Sequence, residues 1–538
     1  MGRRTSLRLG VSVAAIAMVA TACSGSDDGG SSDSEGDSAA TGGSFTLSGS
    51  EPEKLAPAAD CYSADCSQIL STIFTSLVSV DAETQELEYG AAESIDSPDA
   101  KVWTVKLRPG MKFHNGEPVD AESYVRAWNY YAYGPNTTQV GFFLSPVQGY
   151  DDLQGKQPKA KELSGVKVVD DTTIEITLDE AFSQWPLIMS YAPAFIPMAQ
   201  ECFDDVQACN EQPIGTGPYQ MSEPWQHNES VTMEKWEDYE GDDPANADSI
   251  EMLMYADLKT AFRDWQAGNL DIVDGVDPSQ VEQAQAEAGE RWLSVDDGSY
   301  TGLGFPTYID MFDDVRIRRA LSMAIDRETI ADRILMGQST PAMDYIAPFV
   351  PGSRDDACEY CVYDPEEAKR LFDEAGGIPG NTVTIFFNND GGHEGWTQAV
   401  GEGWKNVLGL DYELASIPFT PWLNTLDEGK SPGAYRQSWI PDYPSPENYL
   451  DPMYGEGSAN YSRYQSDEFL RLIAEADAAP SIEEGIPIYQ EAADVALEDL
   501  QVAPLFFGKT EIVYSERLDN VNYDPLQQIL LGEISVTG

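Results

Sequence analysis

Residues 24–43 are the part of the chain that most limits where a folded domain can begin. The segment reads SGSDDGGSSDSEGDSAATGG and has no aromatic and no large aliphatic side chain. Without apolar surface to bury, it cannot offset the entropy cost of becoming ordered, so the sequence predicts a disordered linker. A Gly/Ser-type coil of this length spans about 25 Å. The folded part is therefore expected after residue 43.

The residues before this linker are typical of an export signal. Three arginines within the first eight residues precede an apolar run from Leu9 to Ala20, which is too short to span a bilayer permanently. Ala20-Thr21-Ala22 followed by Cys23 resembles the lipobox of bacterial lipoproteins. The resemblance implies cleavage after residues 1–22 and a lipid such as palmitate on Cys23, on the extracytoplasmic face of the cell membrane. The alternative is a plain signal peptide that happens to meet a cysteine.

The other six cysteines fall into three close pairs: Cys61 with Cys66, Cys202 with Cys209, and Cys358 with Cys361. Several pairings are formally possible, and only proximity in sequence favours this one. As small loops, the three disulfides would each contribute about 2 kcal/mol and act as local staples. Cys358-Glu-Tyr-Cys361 is also compatible with a redox dithiol or half of a zinc site, although no second such pair or neighbouring His supports zinc.

Charge and composition exclude several classes of partner. With 92 acidic and 32 basic residues the formal net charge is −60, so nucleic acid and anionic membrane surfaces are poor partners. Such acidity could steer cationic ligands, or it could serve solubility or adaptation to salt. The residues after the linker exceed what one core holds, and no later run is long and apolar enough for a transmembrane helix.

The pattern of apolar residues mixes strands and helices without a fixed repeat, which predicts an α/β or α+β class and excludes solenoids and propellers. Alternation predicts strands at 102–107, 173–178, 230–233, 250–255 and 382–387. Helical spacing and capping residues predict helices after Asp120, from Asp364-Pro365 to Gly376-Gly377, and over 315–336, 467–478 and 482–500.

Catalytic machinery is scarce in the sequence. The three histidines, His114, His227 and His393, lie far apart, and no nucleophile elbow, phosphate-binding loop or dinucleotide fingerprint is present. His393-Glu394 begins like a zinc-protease motif, but Thr397 stands where the second histidine must be. Residues 388–392 resemble a calcium loop only loosely. No metal or other cofactor is expected, while an acidic pair of a hydrolase stays open because carboxylates are abundant.

Four segments together resemble one family, the solute-binding protein family 5 of bacterial peptide and nickel ABC importers. They are Trp103 to Tyr124, Pro213-Ile-Gly-Thr-Gly-Pro-Tyr219, Asp314 to Arg327, and Ser438-Trp-Ile-Pro-Asp-Tyr443. They occur in the family's order, and the resemblance extends over nearly all of residues 44–538. Gly215 and Gly217 could form an anion-binding nest, but a role in turning the backbone is favoured. His114 is interpreted as a surface or packing residue.

The resemblance implies an α/β fold of the periplasmic-binding-protein type II, with two lobes and a hinged cleft between them in the three-domain cluster C arrangement. Domain I is expected from residues 44–72, 209–298 and 505–538. Domain II is expected from residues 73–208, and domain III, the second lobe, from residues 299–504. A ligand held between the lobes would favour the closed state through the contacts that it makes only there.

The resemblance also implies a set of ligand-binding residues. Asp442 matches the aspartate that pairs with the α-ammonium group of a bound peptide, Trp439 an aromatic that lines a side-chain pocket, and Arg436 a cation that meets a carboxylate terminus in some members. Tyr443 and Asn460 complete the set. Plainer alternatives are a turn cap for Asp442, a core position for Trp439 and a surface position for Arg436.

The leading hypothesis is a lipid-anchored, monomeric receptor without enzymatic activity, which binds oligopeptides and delivers them to an ABC permease. Pro441 and Pro444 depart from the commonest pattern of peptide binders, so the sequence does not decide which ligand is bound. An oligosaccharide is one alternative, because 11 Trp and 26 Tyr could stack on sugar rings. A secreted hydrolase with an acidic pair is another, whereas nickel is disfavoured by the scarcity of histidine.

Overall fold

The computed structural model describes residues 42–537 except 82, 83, 456, 458, 525 and 527. The predicted signal peptide, the lipidation site Cys23 and the linker up to residue 41 therefore lie outside the described residues. In the described part of the chain, no helix combines the length and the apolar character needed to cross a membrane.

Strands and helices are interspersed along the chain. The strands are β1 (Ser44–Gly49), β2 (Val78–Val80), β3 (Leu87–Tyr89), β4 (Ala92–Asp96), β5 (Val102–Leu107), β6 (Val166–Asp170), β7 (Thr173–Thr177), β8 (Tyr219–Met221), β9 (Ser230–Lys235), β10 (Ser249–Met254), β11 (Ile272–Asp274), β12 (Trp292–Gly304), β13 (Ser339–Pro341), β14 (Thr382–Asn388), β15 (Asp411–Ile417), β16 (Ala434–Trp439), β17 (Val502–Tyr514), β18 (Leu518–Asp519), β19 (Tyr523–Asp524), β20 (Gln528–Ile529) and β21 (Ser535–Val536).

The α-helices are α1 (Ala64–Ile73), α2 (Ala121–Ala132), α3 (Trp185–Ile188), α4 (Ala192–Phe195), α5 (Gln200–Asp204), α6 (Val206–Glu211), α7 (Leu258–Gln266), α8 (Val281–Ala288), α9 (Val315–Met323), α10 (Arg327–Arg333), α11 (Pro365–Ala375), α12 (Glu394–Leu408), α13 (Phe419–Asp427), α14 (Pro446–Tyr454), α15 (Asp467–Asp477) and α16 (Ile482–Asp499).

A mixed sheet of eleven described strands joins the two lobes, in the order β15-β14-β16-β12-β17-β11-β1-β10-β9-β8 with β13 beside β17. The two long strands β12 and β17 are antiparallel neighbours, and their pairing extends from one lobe into the other. Their register shifts between Asp296 and Tyr300, where Gly298 has a φ of +70°. A Cβ at Gly298 would lie 2.6 Å from Cε1 of Phe349, so this link between the lobes requires glycine.

Buried apolar residues divide into two large cores on either side of these strands. The core of the first lobe includes Phe45, Ile69, Val105, Trp128 and Ile250. The core of the second lobe includes Leu303, Leu321, Ile385, Trp404 and Phe507. This arrangement confirms the predicted two-lobed α/β fold. The finer division of the first lobe into domains I and II stays a prediction.

Local sequence signals explain many element boundaries. The side chain of Asp364 accepts hydrogen bonds from the N–H groups of Glu366 and Glu367 at the start of α11, and Gly376 ends the helix with a φ of +86°. The continuous helix predicted over residues 315–336 is wrong. The chain breaks into α9 and α10 because Asp326 caps a new helix by accepting from the N–H of Thr329 at 3.0 Å.

The structure contains the three disulfides predicted from proximity in sequence. Cys61 is bonded to Cys66, Cys202 to Cys209, and Cys358 to Cys361. The bond between Cys202 and Cys209 joins α5 to α6, and each of the three bonds spans at most seven residues. Within the described residues, no cluster of three or more His, Cys, Asp or Glu side chains is arranged to hold a metal ion.

Candidate functional site

A cavity of about 340 Å³ lies where the second lobe faces the first. The second lobe contributes the loop residues Ile440, Pro441 and Asp442. The first lobe contributes described residues from the segments 62–80, 190–193 and 524–533. A smaller cavity of about 200 Å³ shares Thr75, Gly90 and Asp243 with it.

The loop that presents Asp442 is fixed by its neighbours. It follows β16 and ends at Ser445, whose hydroxyl accepts from the N–H of Glu447 at 3.2 Å and caps α14. Oδ1 of Asn448 accepts from the N–H of Asp442 at 2.9 Å and from Nε1 of Trp439 at 3.3 Å. One amide on the first turn of α14 thus positions the backbone at residue 442.

Asp442 is a half-buried carboxylate without a cationic partner among the described residues. Burial raises the pKa of Asp442 to about 6, and a hydrogen bond with Asn448 partly opposes this shift. An ionised carboxylate in such a place lacks the compensation that a positive charge would give. The carboxylate is therefore suited to bind a cation that enters the cavity.

Tyr443 and Glu447 form a buried pair behind this loop. The hydroxyl of Tyr443 donates to Oε2 of Glu447 at 2.5 Å, and Tyr443 packs into the core of the first lobe. Burial raises the pKa of Glu447 well above its usual range. Tyr443 is not among the residues that line the cavity. Its packing in the core of the first lobe and its bond to Glu447 support the loop that presents Asp442.

Trp439 and Asn460 also lie away from the cavity lining. Trp439 is half-buried and packs against the core of the second lobe. Asn460 is buried, and its Nδ2 donates to the carbonyl oxygens of Gly455 and Tyr464, both at 2.9 Å. Its Oδ1 accepts from the N–H of Tyr464 at 2.9 Å, so this amide holds its own turn.

Arg436 lies in β16, beside the end of β14, and is not among the residues that line the cavity. Its Nη1 donates to Oδ1 of Asn388 at 3.1 Å, and its guanidinium carbon lies 5.5 Å from the ring centroid of Trp422. Nε is buried without a hydrogen-bond partner among the described residues. Burial lowers the pKa of Arg436 to about 10, which the charge of Asp390 partly opposes. The guanidinium could bind an anion, to which the unpartnered Nε–H would donate.

Most residues of the cavity wall are not predicted from the sequence, among them Tyr191, Asp243 and Asp524. Tyr191 lines it, and burial, followed by the charge of Asp442, raises the pKa of its hydroxyl. Asp243 accepts from the hydroxyls of Tyr239 at 2.5 Å and Thr75 at 2.8 Å. Asp524 in β19 has a pKa raised to about 6 by burial. None of the three belongs to a recognisable motif, so no local signal marks them.

The segment with Gly215 and Gly217 holds the end of α1, which forms part of the cavity wall. The N–H groups of Thr216 and Gly217 both donate to the carbonyl oxygen of Ile73, at 3.0 and 2.9 Å, so they are not free to bind an anion. A Cβ at Gly215 would lie 2.0 Å from this oxygen. Close packing, and not a positive φ, therefore requires the glycines.

His114 packs against the same segment, as predicted. Its Nδ1 accepts from the N–H of Gly215, and its Nε2 lies 3.1 Å from the carbonyl oxygen of Gly217. Burial lowers the pKa of His114 to about 4. The imidazole is thus neutral and structural.

Comparisons with known proteins agree with this architecture. Residues 86–461 match the family described as "Bacterial extracellular solute-binding proteins, family 5 Middle". The chain is 26% identical over 470 residues to the oligopeptide-binding protein OppA of Bacillus subtilis, covering 84% of this chain and 85% of the relative. It is 25% identical over 457 residues to the dipeptide-binding protein DppE of the same organism, covering 80% and 81%.

Two solved structures show the same fold. The unliganded open form of the periplasmic murein tripeptide-binding protein MppA has a TM-score of 0.81 at 21% identity, covering 93% of this chain and 99% of the other. Haemophilus influenzae OppA in complex with RPPGFSPFR has a TM-score of 0.71 at 22% identity, covering 92% and 99%.

Proposed function

The chain belongs to family 5 of the bacterial extracellular solute-binding proteins, and from this premise we propose that it captures oligopeptides between its lobes for an ABC importer. The relatives OppA and DppE of Bacillus subtilis are named for oligopeptide and dipeptide binding. The observation that supports a peptide here is Asp442, a half-buried carboxylate on the cavity wall without a cationic partner among the described residues.

In this proposal the carboxylate of Asp442 binds the α-ammonium group of the peptide. When the lobes close and water leaves the cavity, the two opposite charges compensate each other. Removing either charge from water alone would be costly. Arg436 is the proposed partner of a peptide carboxylate, because its buried Nε has no hydrogen bond and a guanidinium can bind both carboxylate oxygens. Trp439 and Tyr443 support the loop that presents Asp442, and Asn460 holds the turn in which it lies.

In this proposal the receptor binds its ligand without catalysing a reaction, and it acts as a monomer. Closure of the lobes around a peptide would report occupancy to the permease, because ligand contacts favour the closed state over the open one. No covalent step is needed. Purified protein should therefore bind peptides stoichiometrically and release no hydrolysis products over hours of incubation.

Calorimetry with short peptides tests the assignment of Asp442. Asp442→Asn removes the negative charge while keeping the size of the side chain, so peptide affinity should fall by about 2–5 kcal/mol. Asp519→Asn is the matched control, because Asp519 is exposed and lies outside the cavity lining. Equal affinities for the native chain and Asp442→Asn would contradict the assignment.

We also propose that lipid on Cys23 holds the receptor beside its permease on the outer face of the cell membrane. The support is the sequence of residues 20–23 and the linker that follows them. Mass spectrometry of the N-terminal peptide from membrane-extracted protein should show acyl chains on Cys23. An unmodified cysteine in that peptide would contradict the proposal.

A further inference from the structure

The charges that line the interlobe cavity are of one sign. Asp243, Asp442, Asp524 and Glu533 line it, whereas no Lys, Arg or His does so among the described residues. The acidic residues come from both lobes and from distant parts of the chain. A ligand with positive charge is favoured in such a cavity, and the formal net charge of −60 adds to the attraction.

Two of these carboxylates are satisfied by uncharged neighbours. Asp243 accepts from two hydroxyl groups, as described above. Glu533 accepts from Nδ2 of Asn522 at 2.9 Å. These residues can stay in the wall without a ligand.

Asp524 differs from them because no side chain among the described residues donates a hydrogen bond to its carboxylate. Its Oδ1 accepts from the N–H of Leu526 at 2.8 Å, and no salt bridge to its carboxylate is found in the described part of the chain. Asp524 and Asp442 are both half-buried, and burial raises the pKa of each to about 6. The cavity therefore contains two poorly compensated carboxylates.

A peptide has one α-ammonium group, which under the proposed function belongs to Asp442. Closure of the lobes would remove water from Asp524 as well, and an unpaired carboxylate in a dry cavity is costly. A second positive charge on the ligand would remove this cost. In a peptide of ordinary residues, that charge sits on a lysine or arginine side chain.

Resting on the proposed function, we infer that Asp524 is a specificity-determining residue that binds the cationic side chain of a lysine or arginine in the peptide. The receptor accordingly selects peptides that carry a basic side chain at one position over neutral or acidic peptides of the same length. Asp442 determines that a peptide binds, and Asp524 determines which peptide binds best.

The experiment compares tetrapeptides of alanine that carry one lysine at position 2, 3 or 4 with the same peptides carrying Nε-acetyl-lysine. Acetylation keeps the length of the side chain and removes its charge. Calorimetry at pH 7.5 with the full chain should show on the order of tenfold tighter binding of the lysine peptide at one position, as for a charge-assisted pair.

Variants identify the residue responsible. Asp524→Asn should reduce the ratio of the two affinities to about one. Because this change also removes the cost of an unpaired carboxylate, the variant should bind tetra-alanine at least as tightly as the native chain does. Asp524→Glu keeps the charge and should retain part of the preference, and the exposed control Asp519→Asn should retain all of it. If Asp524→Asn does not fold, the ratio in the native chain and in Asp524→Glu still tests the inference.

The outcomes separate the two proposals. Tetrapeptides that bind without any preference for lysine, or a preference that persists in Asp524→Asn, would overturn the role of Asp524 and leave the peptide receptor standing. Failure of every tetrapeptide to bind would overturn the peptide receptor, and the role of Asp524 with it.

Discussion

The hydroxyl of Ser445 donates to Oε1 of Gln184 at 2.9 Å and so joins the second lobe to the first. Both side chains are fully buried, and they are separated by 261 residues in sequence. Beside them, the N–H of Ser183 donates to the carbonyl oxygen of Asp477 at 2.7 Å. The loop that presents Asp442 is therefore attached to the first lobe at Ser445, where the loop ends.

Ser445→Ala should destabilise the protein more than loss of a helix cap alone. The change removes the cap of α14 and leaves Oε1 of Gln184 buried without its donor, which together should cost about 2–4 kcal/mol. Ser481→Ala is the matched control, since Ser481 caps α16 and makes no contact of this kind between lobes. It should cost about 1 kcal/mol. Equal losses in urea unfolding would contradict the role of the bond between the lobes.

Peptide affinity should fall as the pH falls through about 6. The pKa of Asp442 in the free protein is raised to about 6, and only the ionised carboxylate attracts an ammonium group. Below this pH binding must first displace a proton, so affinity should fall about tenfold for each further pH unit. Calorimetry with tetra-alanine at pH 7, 6 and 5 measures the effect in Asp524→Asn, because the carboxylate of Asp524 also has a pKa of about 6. The double variant with Asp442→Asn should bind weakly with little dependence on pH, and a steep dependence in it would assign the titration to another group.

Of the three histidines, only His227 should have a pKa above the usual range of an imidazole. Hydrogen bonds with Glu51 and Glu211 raise its pKa. Burial lowers the pKa of His114 to about 4 and that of His393 to about 3. NMR of histidine-labelled protein can follow the three imidazoles separately. A midpoint near 6.5 for His114 would show that its ring is solvated and does not hold Gly215 and Gly217 as described.

Local signals predicted the elements better than the site. Alternation identified β5 with its bounds, and capping identified α11, because both depend on near neighbours in sequence. The break between α9 and α10 was missed because apolar spacing continues through it while Asp326 starts a new helix. Four sequence motifs predicted membership of family 5, which is confirmed. One of them contains Asp442, which lines the cavity in the structure.

The rest of the cavity could not be predicted from local patterns. Asp524 lies in a strand of two residues near the C-terminus, and Tyr191 lies in a mainly apolar stretch. Their meeting depends on how distant segments pack, as does the bond between Gln184 and Ser445. Only the assembled structure shows that Asp524 and Tyr191 line one cavity.

Glu511 should lower stability at neutral and higher pH, because its carboxylate is buried in the strand that links the lobes. Oε1 accepts from the hydroxyl of Ser294 at 2.9 Å, while Oε2 is buried without a partner among the described residues. Burial raises the pKa of Glu511 to about 7, although Ser294 and Lys509 oppose the shift.

Because this pKa is higher in the folded than in the unfolded chain, the folded state holds a proton between about pH 4.5 and 7 that the unfolded state has lost. The contribution of Glu511 to the free energy of unfolding should therefore fall as the pH rises through this window. Glu511→Gln keeps the acceptor for Ser294 and cannot ionise, so it should raise stability by about 1–3 kcal/mol at pH 8 and change it little at pH 4.5. Glu516→Gln, at an exposed position nearby, should change stability little at either pH. Urea unfolding at both pH values measures the difference, and an equal effect of Glu511→Gln at both would mean that ionisation of this residue does not limit stability.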